Sequence, residues 1–204
     1  MDKTIYIVDD EESVIGALQN LLGSEGYRVS TFLSPSEFLS QTDYLTPSCL
    51  IVDLNMPGFD GFDVSLHLTE RGFSIPTIFL TGYGTIPITV RAMKAGAFEF
   101  LTKPVMPDEL LRVVEEALAL SEKSAAASQE KRVITARYSS LTPREKELMQ
   151  YVVRGLLNKQ IAAEMGISEI TAKVHKRRVM EKMEVRTVSD LVRAAEKLAI
   201  LNES

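Results

Sequence analysis

Cys49-Leu50-Ile51-Val52-Asp53, running into Leu54-Asn55-Met56-Pro57-Gly58-Phe59-Asp60-Gly61, is an apolar, strand-forming run that stops on a carboxylate and passes into a turn. Pro57, Gly58 and Gly61 mark that turn. Three other runs of the first half end in the same way: residues 4–8 before Asp9-Asp10, 77–80 before Thr81, and 98–101 shortly before Lys103. One polar ending carries little weight, but the recurrence suggests a shared edge. In a parallel sheet with helical crossovers the carboxyl ends of all strands lie on one side, and ligands bind there.

The segments between these runs read as helices. Val14, Ala17, Leu18, Leu21 and Leu22 recur at three- and four-residue steps before Gly23 and Gly26 close the helix. A strand over 27–32 follows, and Ser34-Pro35 opens a short helix to about 41. Further helices are expected over 62–70, over 87–94 before Gly96, and from Pro107 onward, where Leu110, Val114, Ala117 and Leu118 share a side. Five strands alternating with five helices predict a doubly wound α/β domain.

A chain of 204 residues has room for one large or two small domains, and its 45% apolar and 25% charged residues are ordinary for a soluble protein. No apolar run approaches the roughly 20 residues that span a bilayer, and Met1-Asp2-Lys3 lacks the regions of a signal peptide, so the expectation is a cytoplasmic chain that engages no membrane. The single cysteine, Cys49, lies in an apolar run and reads as a core residue, which excludes disulfides and zinc. His67 reads as a solvent-facing helix residue. The net charge of −5 conceals a division: residues 1–121 hold 17 acidic and 7 basic side chains, residues 122–204 hold 11 and 16. Signs that segregate along the chain point to two domains with different partners, the basic one a candidate for nucleic acid.

At the strand ends, the carboxylates of Asp9, Asp10 and Asp53 repel one another unless a cation is present, and such oxygen-rich sites suit Mg²⁺. An aspartate can itself attack phosphorus. Thr81 offers a hydroxyl and Lys103 a compact positive charge to phosphoryl oxygens. The Lys103-Pro104 bond is a candidate for the cis form. Taken singly, Asp53 is equally a strand-end cap, Thr81 a β-former, Lys103 a solvated cation and Phe100 a core residue; the combination gives them weight.

Over about residues 3–121 these features resemble the receiver domain of two-component response regulators. The resemblance is carried by Asp9-Asp10, the segment from Asp53 to Gly61, Thr81-Gly82 and Lys103-Pro104. It implies a flavodoxin-like sheet of order 2-1-3-4-5, with Asp53 as phospho-acceptor. It also implies Asp10, Asp53 and the Asn55 carbonyl around Mg²⁺, Asp9 in support, and Thr81 and Phe100 as the residues that move on phosphorylation. Members of the family often carry tyrosine where this chain has Phe100, so aromatic packing alone has to report the state.

Residues 122–138 contain neither glycine nor proline and are rich in helix formers, which predicts a helical extension of the preceding helix. The apolar repeat fades after Leu120, leaving both a solvated spacer and a coiled-coil contact open, with a frayed end over 133–136. Then Thr142-Pro143-Arg144-Glu145 combines a capping box with proline at the first helical position. Leu148, Tyr151 and Val152 face inward up to Gly155; a second helix covers about 158–165 and closes at Gly166. Ser168 caps a third helix reaching about Met183, and Thr187 a fourth on which Val188, Leu191, Val192, Ala195 and Leu198 share a face. Four short helices with a tight turn fit a helix-turn-helix unit. Between Thr171 and Met183 on its third helix, Lys173, Lys176, Arg177, Arg178 and Lys182 stand with His175 against one acid, Glu181. Such cations neutralise phosphates or read guanine edges; a solvated basic helix is the plain alternative.

From Ser140 to about residue 199 the chain is similar to the LuxR-type DNA-binding domain. The residues concerned are Leu141-Thr142-Pro143-Arg144-Glu145, Gly155-Leu156-Leu157-Asn158-Lys159-Gln160-Ile161-Ala162, Ile167-Ser168, Thr171-Ala172-Lys173-Val174-His175 and Lys182-Met183. The similarity implies that Lys173, Val174 and Arg177 meet bases, that Asn158, Lys159, Thr171, His175 and Arg178 position the backbone, and that the last helix can dimerise. Ala172 and Met183 replace a larger β-branched residue and a leucine common in the family, as core changes.

A receiver over 1–121, a helical linker over 122–138 and a DNA-binding domain over 139–204 resemble the NarL/FixJ-type response regulators. The resemblance implies a transcription factor phosphorylated on Asp53 by a sensor histidine kinase. A changed face around the fourth helix and fifth strand would favour a homodimer on promoter DNA, with RNA polymerase a further partner. Its own catalysis would be confined to Mg²⁺-dependent phosphotransfer and autodephosphorylation, so an enzyme is not expected. A Mg²⁺-dependent aspartyl phosphatase would need a positioned acid or base, which Asn55 cannot supply. A receiver serving only as a protein-interaction module leaves the basic half unexplained.

Overall fold

Strand residues alternate between two cores. The structure, a computed structural model, describes residues 3–82, 90–92 and 96–198. Its strands are β1 (Thr4–Val8), β2 (Arg28–Phe32), β3 (Ser48–Asp53), the short pair β4 (Asn55–Met56) and β5 (Phe59–Asp60), β6 (Thr77–Thr81) and β7 (Glu99–Thr102). Five of them form a parallel sheet of order β2-β1-β3-β6-β7, the order expected. The helices of this part are α1 (Glu12–Ser24), α2 (Pro35–Leu39), α3 (Gly61–Glu70) and α4 (Pro107–Ser139). The helix expected over 87–94 is seen at 90–92; the rest of it lies outside the described residues.

Ile5, Ile7, Cys49, Ile51, Ile78 and Leu80 pack on one face against Ile15, Leu18 and Leu22 of α1 and Leu110, Val114 and Leu118 of α4. Tyr6, Val8, Leu50, Val52 and Phe79 pack on the other against Phe38 of α2 and Phe62, Val64 and Leu68 of α3. Every residue of β1, β3 and β6 is buried, as a parallel sheet covered on both faces requires. Their apolar runs therefore show no polar alternation, and they stop only where the sheet edge begins.

The chain divides into two compact units, Met1–Ala125 and Ala126–Ser204. In the second, α5 (Pro143–Val153), α6 (Asn158–Met165), α7 (Glu169–Lys182) and α8 (Val188–Lys197) enclose Leu148, Val152, Ile161, Ala172, Val179 and Leu191. Thr142, Ser168 and Thr187 cap α5, α7 and α8 through their hydroxyls, and Gly166 closes α6 at a φ of +64°.

One expectation is corrected. Residues 133–136 do not fray: α4 continues to Ser139, and Ile134 is buried in the second core with Tyr138 packed beside it. The polar stretch 122–132 hid this apolar pair, which is spaced one helical turn apart. Ion pairs Glu130–Lys197 and Arg137–Glu184 hold the same end of α4 within the second unit.

Glu145 is buried and does double service. Its carboxylate accepts the Thr142 N–H at 2.8 Å, completing the capping box, and pairs with Lys182 Nζ at 2.6 Å. Burial alone would raise its pKa, but the Lys182 ammonium and the Thr142 donors hold it below the ordinary carboxylate value of 4.5. A depressed folded pKa gives stability that is complete above the unfolded value and lost as pH falls through the folded one. Glu145→Gln is therefore expected to cost about 1–2 kcal/mol at neutral pH, with the difference from the parent chain shrinking below about pH 4. Urea unfolding at both pH values measures this, and an equal cost at both contradicts it.

Candidate functional site

The C-terminal edge of the sheet collects the polar strand ends. β3 ends at Asp53, Asp9 follows β1, Thr81 ends β6, and Lys103 follows β7 ahead of a cis bond to Pro104. Lys103 Nζ donates to Asp9 Oδ2 at 2.7 Å and Glu11 Oε1 at 3.3 Å, and lies 3.0 Å from Asp53 Oδ1. The other Asp53 oxygen accepts the Asn55 N–H at 2.7 Å. Asn55 Nδ2 in turn donates to Thr81 Oγ1 at 3.3 Å, and Thr81 is fully buried. Residues 94 positions apart thus share one bond.

Burial would push the Lys103 amine down, but its hydrogen bonds to Asp9 and Asp53 outweigh that and lift it above its ordinary value, so it stays an ammonium. Asp9 is held the other way: burial raises its carboxyl, against the hydrogen bonds from Lys103 and the Glu11 N–H.

The acidic pair separates. Asp9 is buried, while Asp10 is exposed and makes no hydrogen bond or ion pair among the described residues. Sequence reasoning missed Glu11, which reaches Lys103 in addition to the expected aspartates. The chain bends at Asp10, and the Glu11 N–H donates to Asp9 Oδ1 at 3.0 Å, which brings the two acids to the same ammonium. The acid run Asp9-Asp10-Glu11-Glu12 held that signal. The Asn55 side chain was missed too, having been assigned only through its carbonyl.

Among the described residues no three of His, Cys, Asp and Glu converge to grip a metal. The donor set on this edge is nonetheless hard and all-oxygen, with Asp9 and Asp53 already converging on one cation. Mg²⁺ characteristically takes one or two carboxylates, a carbonyl and water, and the residues present fit that demand.

Two further contacts shape the edge. A Cβ on Gly61 would lie 2.5 Å from the Asp53 carbonyl oxygen, so only glycine lets α3 start this close to the end of β3. Arg91 pairs with Asp60 at 3.0 Å and its guanidinium lies 4.4 Å over the Phe62 ring, joining residues 90–92 to the start of α3. Phe100 is half-buried on β7, in register with Phe79.

In the second unit, α7 turns Ala172 and Val179 to the core and leaves Lys173, Val174, Arg177 and Arg178 exposed, with Thr171, His175 and Lys176 half-buried. Lys159 is exposed and Asn158 half-buried at the start of α6. Asn158 Oδ1 and His175 Nδ1 are buried without a hydrogen-bond partner among the described residues. The pairs Lys173–Glu169 at 3.9 Å and Arg177–Glu181 at 2.7 Å are exposed, so they hold their cations only weakly. Lys182 is exposed as well, with its ammonium held by Glu145 and 3.4 Å from the Ser140 carbonyl.

Comparison with known proteins is consistent across both halves. The family model for the response regulator receiver domain matches residues 5–115, and that for bacterial regulatory proteins of the luxR family matches 139–195. The response regulator protein TmoT of Ectopseudomonas mendocina is 44% identical over 97% of this chain and 90% of its own length. The transcriptional regulatory protein FixJ of Bradyrhizobium diazoefficiens is 37% identical over 98% and 97%. Among solved structures, the response regulator StyR superposes with a TM-score of 0.87 at 43% identity, covering 97% of this chain and 100% of that one. Full-length FixJ superposes at 0.58, with 37% identity and 98% of both chains covered.

The close approach at Gly61 has a measurable consequence. Gly61→Ala forces backbone to shift where no flexible side chain can yield, and is expected to lower the unfolding free energy of the first unit by about 1–3 kcal/mol. An unchanged urea midpoint contradicts the stated contact.

Proposed function

The chain belongs to the response regulators of two-component systems, transcription factors that join a receiver domain to a LuxR-type DNA-binding domain, and on that premise we propose that Asp53 accepts a phosphoryl group from a sensor histidine kinase. The observation that carries this is the grip on the Asp53 carboxylate, one oxygen facing the Lys103 ammonium and the other the Asn55 N–H. These contacts orient the nucleophile at the open end of the sheet. A carboxylate oxygen bonds to phosphorus as the P–N bond of the kinase's phosphohistidine breaks. The imidazole leaves with the electron pair and takes up a proton, and Asp53 is left as an acyl phosphate.

Asp10, Asp53 and the Asn55 carbonyl, with Asp9 in support, would hold Mg²⁺. Bound there, it supplies positive charge that offsets the carboxylates and the incoming phosphoryl oxygens. Lys103 then turns from Asp9 and Glu11 towards the phosphoryl group. The Thr81 hydroxyl exchanges its Asn55 donor for a phosphoryl oxygen, and Phe100 repacks beside Phe79. Chemistry on the chain is confined to this transfer and to hydrolysis of the acyl phosphate, in which water attacks phosphorus, inorganic phosphate leaves and the Asp53 carboxylate is restored.

In the second unit α7 lies in the major groove. Lys173, Val174 and Arg177 meet base edges. Lys176, Arg178, His175 and Thr171, with Asn158 and Lys159 of α6, meet the sugar-phosphate backbone. Lys182 is left with Glu145. Phosphorylation favours a homodimer through α8, where Val188 is exposed, and a dimer matches paired half-sites in a promoter, with RNA polymerase the further partner.

Asp53→Asn is expected to abolish labelling by a phosphorylated kinase while leaving basal DNA binding; undiminished labelling sinks the assignment. Lys173→Ala is expected to weaken binding to a specific duplex by about 5- to 150-fold at fixed salt. An unchanged affinity counts against α7 as the reading helix.

A further inference from the structure

Ile170 is 77% exposed, more than any other large apolar side chain among the described residues. It is the second residue of α7, and helical spacing places Lys173, Val174 and Arg177 on the same stripe, three, four and seven positions on. Ala172 and Val179 face the core instead, so the stripe points away from it. Val174, one turn beyond Ile170, is itself 45% exposed. Two β-branched residues therefore stand in solvent on one helix face. Local preference does not account for them, because β-branched side chains are mediocre helix formers.

The surroundings select the partner. Lys173, Arg177 and Arg178 flank the apolar pair, which suits a polyanion and disfavours an apolar protein surface or lipid. In the major groove of B-DNA the one apolar feature is the thymine C5-methyl, and the first residues of a recognition helix are those that reach base edges. We propose that Ile170 reads a thymine methyl in the DNA site, as a specificity-determining residue ahead of Val174 on α7. This rests on the reading that α7 occupies the major groove.

The test uses the full chain and a duplex that the chain itself enriches from a random-sequence pool. Each thymine is replaced in turn by deoxyuridine, which removes the methyl and preserves pairing, charge and the O4 acceptor. At one thymine per half-site the parent chain is expected to lose about fourfold in affinity, the effect of one methyl withdrawn from an apolar contact. Ile170→Ala, which folds because the side chain faces solvent, binds the thymine duplex about fourfold more weakly per half-site occupied and loses nothing more at that deoxyuridine. Ile170→Val keeps the sensitivity there, and so does Val174→Ala. An Ile170→Ala chain with parental affinity assigns the side chain to a protein partner and overturns the proposal. So does an equal loss on both duplexes, or an enriched site with no thymine whose replacement matters. Failure of the groove reading looks different: no sequence is enriched, or Lys173→Ala binds as the parent does, and both readings then fall together.

Discussion

Two buried carboxylates side by side at the end of a sheet repel one another unless a proton or a cation intervenes, and Lys103 supplies the cation. Its ammonium lies 2.7 Å from Asp9 and 3.0 Å from Asp53, and both aspartates are almost wholly buried. Removing one partner from such a cluster strands the others as unpaired charges, which is why the arrangement is held in place. β1 and β3 are neighbours in the sheet and β7 is its edge strand beyond β6, so the contact ties ends that the sheet hydrogen bonds alone do not bring together. A phosphoryl group on Asp53 is a stronger partner for the same ammonium. On the proposed reading, the contact that stabilises the resting edge is the one that a phosphoryl group on Asp53 would rearrange.

Around this contact the side chains form a short chain of dependence. Asn55 holds Asp53 by its backbone and Thr81 by its side chain, so a change at the carboxylate reaches the end of β6 directly. Phe100, on the adjoining strand, carries no hydroxyl and can respond only by packing. Gly61 and the Arg91–Asp60 pair bring α3 and residues 90–92 against the same edge. The second unit follows a separate logic of caps and a core, with α7 carrying the exposed cations Lys173, Arg177 and Arg178. Segregated charge along the chain corresponds to this separation of tasks.

The parallel sheet and the residues at its edge were legible in the sequence because each apolar run ends in a polar residue at the same structural position, whereas the strand order came with the resemblance to receiver domains. Capping residues at Thr142, Ser168 and Thr187 were legible for a similar reason: one side chain and the backbone three residues on settle the outcome. What escaped depends on neighbours distant in sequence. Glu11 joins the cluster only because Lys103 reaches it, Lys182 is paired only because Glu145 is buried beneath it, and Gly61 is required only by the Asp53 carbonyl. The burial of Ile134 went unread because a long polar run precedes it and its packing partners come from the second unit.

The central claim is that occupation of Asp53 changes how the intact chain associates. Light scattering on the full chain, with and without Mg²⁺ and beryllofluoride as a phosphoryl mimic, tests it most directly. The account predicts a monomer that becomes a dimer only when both are present. A mass that stays monomeric in their presence contradicts it.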